Sequence, residues 1–523
     1  MFRENIEHLQ RDLFGLFQSM PPKLQEKAAK SEERMFYEQL LCNIDEHLFS
    51  VLYSNEPSRP NKAVNAMVAA LVLRHRRFWT YGELFKNIQF NLLTRLALGL
   101  DDLESMPFCP ATLFNFQKLL TAHFLDTGVD LLEQVFDNLT TQQLETLGIK
   151  TDIQRTDLFM VESNICTYTR VRLLVEVLLR FYRTLSDEDK KECGDYFSAY
   201  LKEHSSNSYV YKLEDEDLPR ELETLAELYH FVVKKFKSRY KDTKIYQTLK
   251  RTYQENFTVA HKKVHVKPDT ELTSDCLQSP DDEEATYLRK NGKHHHGRSI
   301  NIVETANPDN EVNLITDVDV NPNNVHDSAA LNKRYDRLKD KTPDLNEMHT
   351  DGAYGSSDND VKCAELKITQ IQTAVCGRQT EVRFDIEQVN DHYIVTCPKQ
   401  QKRSEPTRAR HKACFDLAIC ATCEHRNGCP ARLATRHRIF YFNHDDYLRY
   451  QRINMIYMIP KERRKIRPNV EASVREFKRR TDNGKLRVRG TFRTRIFAFS
   501  TAIAINFGRM FRYQRAKPAA QTA

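Results

Sequence analysis

Residues Lys150–Met160 read KTDIQRTDLFM, and this short segment differs in character from the sequence on either side. Its apolar side chains alternate with polar ones, which is the pattern of a strand. The flanking regions instead place apolar residues at helical spacing. A strand between two long helical regions, followed by further strands, predicts an α/β protein.

The sequence before this strand is predicted to be helical. Ala63–Leu73 (AVNAMVAALVL) is apolar enough for a buried helix, and leucines continue at helical spacing as far as Leu100. Glycine is scarce and no strand pattern is present there. Residues 1–145 are therefore predicted to form an all-helical N-terminal domain.

The sequence after the strand is predicted to return to helix before it completes the sheet. Residues 166–295 are interpreted as a helical insertion that ends in a polar linker. Further strands are predicted at Ser299–Glu304, Val312–Val320 and Glu347–Asp351, with a hairpin around Asn390-Asp391.

These elements divide the chain into parts. Residues 146–165 and 296–480 are predicted to form the core with the mixed sheet, and residues 385–435 a Cys-rich insertion within it. Residues 481–523 are predicted to be a basic C-terminal helix and tail, with a packed helix at Phe497–Met510.

Composition sets limits on the function. With 523 residues, two to four domains are expected. No stretch approaches the ~20 apolar residues of a membrane helix, and the first residues lack an apolar signal core. A cytoplasmic protein is predicted. Residues 461–523 contain 18 Lys or Arg and 4 Asp or Glu. Such a basic block is typical of a polyphosphate partner, although a solvated basic tail is an alternative.

Three acidic residues are candidates for chemistry. Asp157 lies on the first strand, Asp351 ends a predicted strand just before a glycine, and Glu471 lies in the first turn of a predicted helix that begins near residue 468. Each alone is more often a turn residue or a complement to the helix dipole. Their combination, with Arg475 and Lys478 on the same helical face as Glu471, favours a metal site.

At these residues the sequence resembles the bacterial insertion-sequence transposases of the DDE class. The resemblance runs from about residue 61 to residue 513 and includes TDLFMVESNI around Asp157 and HTDGAYGSSDN around Asp351. The segment RRKIRPNVEASVREFKRR resembles a Tyr-x2-Arg-x3-Glu-x6-Lys signature. Arg467, Glu471 and Lys478 fit its spacing, whereas Arg464 stands in place of the tyrosine.

The resemblance implies a ribonuclease H-like catalytic core, a DNA-binding N-terminal domain and a two-metal enzyme. Asp157, Asp351 and Glu471 would hold Mg²⁺ or Mn²⁺ for strand cleavage and strand transfer. The basic residues expected to bind the DNA backbone are Arg464, Arg467, Arg475 and Lys478.

The partners implied are the terminal inverted repeats and the target DNA, bound by a homodimer. The location implied is the bacterial nucleoid. The alternatives are a non-catalytic DNA-binding protein derived from such an element and a metal-dependent nuclease.

Five cysteines crowd between Cys397 and Cys429. Cys420-x2-Cys423-x5-Cys429 and a preceding Cys-Pro at 397 predict a tetrahedral structural Zn²⁺ site. The fourth ligand is assigned to Cys397, which also matches a Cys-Pro of the resembling family; Cys414 and His411 are alternatives. Free, partly buried thiols are the competing interpretation.

Other polar residues near the candidate site receive structural interpretations. Asp152 lies on the same strand as Asp157 and competes with it for the catalytic role. Glu162 is expected to face the opposite side of the strand, and Asp327 to cap a helix. His294–His296 are expected in a polar turn before a strand, as a DNA-proximal loop or a plain surface loop.

Overall fold

The computed structural model describes residues 1–6, 15, 17–54, 56–57, 59–100, 107–203, 205–374 and 382–516. It contains helices and a mixed sheet, so the predicted α/β class is confirmed. Residues 517–523, the end of the predicted basic tail, lie outside this description.

The described N-terminal residues form helices and 3-10 turns, as predicted. Their starts carry ordinary signals: a capping box joins Thr80 and Glu83, Pro110 occupies a first turn, and Asp130 caps the last helix. The helices are α1 (Pro22–Ala29), α2 (Glu32–Gln39), α3 (Val64–Arg76), α4 (Tyr81–Phe90), α5 (Leu92–Ala97), α6 (Pro110–Thr127) and α7 (Leu131–Leu147).

The strand predicted at Lys150–Met160 is β1 (Ile153–Glu162). A helical insertion follows it, and its own hydrophobic cluster is built around α8, α11 and α12. Its elements are α8 (Arg170–Thr184), α9 (Asp187–Leu201), α10 (Ser206–Val210), α11 (Leu218–Tyr240), α12 (Lys244–Asn256) and the hairpin of β2 (Phe257–Ala260) and β3 (Lys263–Val266).

The main sheet has six strands, with β1 in its interior. The remaining strands are β4 (Thr286–Lys290), β5 (Lys293–Thr305), β6 (Ile315–Pro322), β7 (Glu347–Thr350) and β8 (Thr369–Gln372). Their order is β4-β5-β1-β7-β8, and β6 pairs with β5 beyond the end of β4. β1 is antiparallel to β5 and parallel to β7, so the sheet is mixed.

The prediction of a polar linker up to residue 295 is wrong for the last ten residues of that linker. β4 and the start of β5 form a hairpin there, with a two-residue turn at Asn291-Gly292. Both turn residues have positive φ, 53° and 75°, as the twist of such a turn requires. The histidine run His294–His296 therefore lies on a strand and not in a surface loop.

Helices cover the sheet, and two small sheets follow it. The helices after β6 are α13 (Asp327–Asn332), α14 (Tyr335–Lys341) and α15 (Ser357–Leu366). The small sheets contain β9 (Asp385–Val389), β10 (His392–Thr396), β11 (Gln401–Arg403), β12 (Glu405–Pro406), β13 (His411–Asp416), β14 (Arg432–Leu433) and β15 (His437–Phe442), with α16 (Leu417–Ala421) between β13 and β14. The hairpin predicted at Asn390-Asp391 joins β9 and β10.

The chain ends in four helices: α17 (His444–Met458), α18 (Lys461–Arg464), α19 (Val470–Lys478) and α20 (Thr491–Ala516). The helix predicted at Phe497–Met510 lies within α20 and is buried as expected. No helix in the described ranges is long and apolar enough to cross a membrane.

Among the described residues, the N-terminal helices share a hydrophobic cluster with the sheet and have no separate core. One cluster joins them to α20, to α19 and to one face of the sheet. The rings of Phe36 and Phe507 meet edge to face at 5.1 Å between centroids, and Phe136 lies 5.8 Å from Phe499. The boundary near residue 145 thus separates a helical sequence pattern from a strand pattern, but it does not separate two hydrophobic cores. Helix α20 packs between the N-terminal helices and the sheet.

Candidate active site

Asp157 and Asp351 lie on neighbouring strands. β1 and β7 run parallel with Arg155 opposite His349. Continuing that register by two residues places Asp157 beside Asp351, which directly follows the last residue of β7. Two carboxylates from distant parts of the chain therefore meet because their strands are adjacent.

A helix brings the third carboxylate to the same place. A 3-10 turn at Arg467–Asn469 leads into α19, and Glu471 lies in its first turn, as predicted. The ring of Phe477 packs on Phe159 of β1, with centroids 5.5 Å apart. This apolar contact fixes α19 against the strand that carries Asp157 and so positions Glu471.

A buried charge cluster around Glu304 of β5 reinforces that placement. Glu304 accepts hydrogen bonds from Arg155 at 2.7 Å, from Arg509 at 2.9 Å and from Ser473 of α19. Arg155 also donates to the backbone carbonyl of Ile466 at 3.0 Å, just before the turn into α19. Burial raises the pKa of Glu304, but Arg509 and Arg155 outweigh it and leave the pKa below its ordinary value.

Arg467 joins the three carboxylates. Its Nη2 lies 2.8 Å from Asp157 Oδ1 and 3.6 Å from Asp351 Oδ2, and its Nη1 lies 3.5 Å from Glu471 Oε1. The side chains of Arg467 and Asp157 are only 13% and 14% exposed, so their ion pair is largely withdrawn from solvent. One guanidinium thus serves three acids, which leaves two negative charges unbalanced within the cluster.

The pKa of Asp157 is shifted by its burial and by the charges around it. Burial raises the pKa of Asp157 above its ordinary value, and the charges of Asp351 and Glu471 add to the rise, while Arg467 opposes it. The buried hydroxyl of Tyr354, whose pKa is raised well above its ordinary value chiefly by burial, is also affected by the charges of Asp157, Asp327 and Asp351. A carboxylate in this position gains from any further cation that approaches it.

The donor set fits hard divalent cations. Carboxylate oxygens are the ligands that Mg²⁺ and Mn²⁺ prefer, and the uncompensated charge favours their binding. In the ranges that the structure describes, no three His, Cys, Asp or Glu side chains already surround a position for an ion. Arg467 lies between the three carboxylates, so its guanidinium has to withdraw when a metal ion binds to all of them.

A groove of about 1020 Å³ leads along β1 from Asp157 to Glu162. Glu471, Arg475 and Lys478 line it, so the face of α19 predicted to carry them is the one that lines the groove. Lys478 Nζ lies 5.9 Å from the centre of the Phe159 ring, within reach of a cation–π contact. A basic wall beside a set of carboxylates is suited to phosphodiester binding.

Two predicted DNA contacts are placed elsewhere. Arg467 pairs with the carboxylates instead of lining the groove. Arg464 donates to the backbone carbonyl of Ile456 at 2.8 Å and does not line the groove. The position that departs from the family signature therefore holds the end of α17 in this structure.

Several groups near the site were interpreted wrongly or missed in the sequence. Glu162 keeps the opposite orientation predicted for it, five residues from Asp157 on the continuous strand β1, but its far-end position also lines the groove, and it accepts a hydrogen bond from the His296 backbone at 2.7 Å. His326, not Asp327, caps α13. Asp152 precedes β1 and accepts a hydrogen bond from Asn307 at 2.7 Å, which is a structural contact. The Asn291-Gly292 pair was the signal in the sequence for the missed hairpin.

The Cys-rich region contains a second candidate metal site. The four predicted ligands all line one cavity of about 20 Å³, and they are Cys397, Cys420, Cys423 and Cys429. Burial raises the pKa of Cys420, and the charges of Cys397 and Cys429 add to the rise, although no three cysteines of the described residues already surround a position for an ion. Gln400 donates to Cys397 Sγ at 3.2 Å and to Cys420 Sγ at 3.3 Å.

The two alternative ligands are less well placed. Cys414 and His411 lie on β13 and do not line the cavity. His411 stacks on Phe442, with ring centroids 5.5 Å apart. The geometry thus favours Cys397 over both alternatives as the fourth ligand.

Comparison with known proteins gives one match. Residues 392–511 match the family model described as a transposase DDE domain. This stretch contains Arg467, Glu471 and Lys478 but neither Asp157 nor Asp351. No curated protein and no solved structure matches the chain. The family match over residues 392–511 confirms the resemblance to the DDE-class transposases.

Proposed function

We propose that this transposase cleaves and joins DNA strands at the ends of a bacterial insertion sequence, with Asp157, Asp351 and Glu471 as its metal-binding carboxylates. The observation that carries the proposal is the meeting of these acids around Arg467, beside a groove with a basic wall that Asp157 and Glu471 line. The mixed sheet, with Asp351 at the end of a strand parallel to β1, supports a ribonuclease H-like core.

The chain's own groups have distinct roles in the proposed reaction. When bound, Mg²⁺ or Mn²⁺ ions activate the attacking water or 3′-hydroxyl and stabilise the leaving oxygen. Asp157, the most buried of the three acids, would hold the ions together with Asp351 and Glu471. Lys478 and Arg475 hold the phosphate backbone in the groove.

Arg467 keeps the acids together before metal and DNA arrive. Because its guanidinium occupies the space between the carboxylates, it would have to move aside for metal ions to be held there. A phosphate group of the bound DNA is then the nearest anion to which Arg467 can turn. In the complex with metal and DNA, Arg467 would therefore make the DNA contact that is expected from the sequence.

DNA at the element's ends is the proposed substrate, and the proposal has a direct test. We expect the purified protein to nick or join a duplex with the inverted repeats that flank its coding sequence, in Mg²⁺ or Mn²⁺ but not in EDTA. A duplex of the same length and composition with scrambled repeats is the control. Binding of the repeats without any cleavage would indicate the non-catalytic alternative, and equal cleavage of both duplexes would indicate a nuclease.

Two further parts of the proposal concern assembly. Transposition joins two DNA ends, so we propose a homodimer in the complex with terminal repeats and target DNA, in association with the bacterial nucleoid.

We also propose that the Cys-rich region binds one structural Zn²⁺ through Cys397, Cys420, Cys423 and Cys429. Four thiolates complete a tetrahedral site, so no position is left open for catalysis. The cavity they line is large enough for about one small ion or water. The site would stabilise the small sheets, whose hydrophobic cluster includes Cys397, Cys420 and Cys429 at its margin.

Zinc content gives the expected result for this region. Metal analysis should find about one Zn²⁺ per chain, and Cys420→Ser with Cys423→Ser should remove it and lower the melting temperature by several degrees, as loss of a few kcal/mol does in a protein of this size. Cys414→Ser is the matched control, because Cys414 lies outside the cavity. Zinc-free protein of unchanged stability would refute the site.

A further inference from the structure

The groove beside the carboxylates has a second wall, and its residues have no role in the function proposed above. The tip of the β4–β5 hairpin supplies it through Lys290, Asn291 and Lys293, and His295 follows on the same strand. The first wall is α19 with Lys478 and Arg479. Positive charge therefore faces the groove from two separate elements.

The two lysines at the hairpin tip form an unusual pair. Lys290 and Lys293 are directly opposite each other in the register, on either side of the two-residue turn. Like charges in directly opposite positions destabilise a hairpin. Both side chains are exposed, and the described part of the chain offers neither a hydrogen bond nor an ion pair to them. The nearby carboxylate of Asp327 feels the charge of Lys290 but makes no such contact.

The hairpin is held in place by its other face and by its base. Side chains alternate along a strand, so Tyr287, His294 and His296 lie on the face away from the lysines. Tyr287 and His294 share a hydrogen bond of 2.6 Å, and His296 bonds to Gln278 at 2.9 Å. The hairpin that carries the lysine pair is thus fixed by side-chain hydrogen bonds on its opposite face.

The base of the hairpin is fixed against β1. A side chain at Gly297 would lie only 2.2 Å from the carbonyl oxygen of Val161, so only glycine permits this approach of the two backbones. His295 contacts Glu162 at 2.6 Å across the same junction. The base of the hairpin therefore has a defined position relative to Asp157, about 16 Å away at the far end of β1 by the rise of a strand, and the tip extends beyond it.

We propose that Lys290 and Lys293 bind neighbouring phosphates of the DNA strand that enters the carboxylate site. The inference rests on the proposed function, which makes DNA the ligand of this groove. A bound polyanion supplies the negative charge that the lysine pair lacks, and the opposite basic wall contacts the same strand. The hairpin thereby sets the path of the strand, while the carboxylates act on the phosphate at its end.

The test measures the charge contacts directly. Affinity for a fluorescein-labelled duplex of about 30 base pairs ending in the inverted repeat is measured by anisotropy between about 50 and 200 mM salt. Lys290→Ala with Lys293→Ala should reduce the slope of log affinity against log salt by about 1.8, since each phosphate contact contributes about 0.9. Lys290→Arg with Lys293→Arg should keep the slope of the parent protein.

The chain provides a matched control. The β2–β3 hairpin has its own two-residue turn, at His261 and Lys262, both with positive φ. Lys262 and Lys263 are exposed there and lie outside the groove. Lys262→Ala with Lys263→Ala should leave the salt slope unchanged.

The outcomes separate this inference from the function on which it rests. If the parent protein neither binds nor cleaves the duplex, the proposed function fails. If the parent protein does both, but loss of Lys290 and Lys293 leaves the slope unchanged or changes it no more than the control pair does, the inference about the hairpin alone is overturned. Single changes of each lysine to Gln give the same readout if the double variant does not fold.

Discussion

Asp157→Asn, Asp351→Asn and Glu471→Gln are each expected to reduce strand cleavage at least about a thousandfold, or ~4 kcal/mol of transition-state stabilisation. Each change keeps the size of the side chain and removes the negative charge that holds a metal ion. DNA binding should persist, because Lys478 and Arg475 of the groove are unchanged. Single-turnover cleavage at saturating DNA, with anisotropy for binding, measures the two properties separately.

Asp152→Asn is the matched control for these variants. Asp152 precedes the strand that carries Asp157, but its carboxylate pairs with Asn307 and not with Arg467. Its replacement should leave cleavage within a few-fold of the parent protein. Near-normal cleavage by any of the three main variants would remove that residue from the proposed metal site.

Stability gives an independent check on Asp157. The pKa of Asp157 is raised in the folded protein, mainly by burial, so its charge opposes folding wherever the group is ionised. This cost is full above the folded-state pKa and disappears as the pH falls below the unfolded-state value. At pH 7 the inactive Asp157→Asn variant is therefore expected to melt at the same temperature as the parent protein or above it.

Local patterns in the sequence were sufficient to predict the elements that carry the three acids. Alternation predicted β1, and the strand end before Gly352 located Asp351. Helical spacing with Pro468 predicted the start of α19 and the face that carries Glu471. Each of these signals lies within about ten residues of the acid that it places, which is the range over which periodicity and turn residues act.

Such local patterns do not predict the contacts that join these elements. Nothing near Arg467 indicates that its guanidinium lies among carboxylates from β1 and β7, because that depends on which strands are adjacent. Similarly, the Asn506 side chain of α20 pairs with both the N–H and the carbonyl of Ile315, each at 2.8 Å. A buried asparagine on a helix does not identify the strand to which it will bond.

The β4–β5 hairpin was missed in the sequence for a different reason. Its strands consist largely of Lys, Arg and His, so they lack the apolar alternation by which β1 was found. The hairpin is stabilised by contacts at its base and on one face, not by a hydrophobic face of its own. A charged sequence that forms a strand against its composition is expected where function requires exposed charge.

Glu304→Gln is expected to cost about 3–5 kcal/mol of stability, because it leaves Arg155 and Arg509 buried without their shared anion. The single tryptophan, Trp79, packs against the hydrophobic cluster that contains α19 and α20, so its fluorescence in urea follows unfolding of this region. The pKa of Glu304 is lowered in the folded state. The stability that its charge provides is therefore present above its ordinary pKa of about 4.5 and is lost as the pH falls through the lowered folded-state value.

The matched control for Glu304 is Glu476, which joins the same two helices, α19 and α20, through an ion pair at the surface. Glu476 of α19 lies 3.9 Å from Arg512 of α20 in an exposed ion pair, and such pairs contribute about 0–1 kcal/mol. Glu476→Gln should therefore change the urea midpoint little and leave cleavage intact. Glu304→Gln should in addition reduce cleavage under conditions where it remains folded, since Arg155 and Ser473 then no longer hold α19 and Glu471 in register with Asp157. A Glu304→Gln protein as stable and as active as the Glu476→Gln control would show that apolar packing of Phe477 on Phe159 alone positions the third carboxylate.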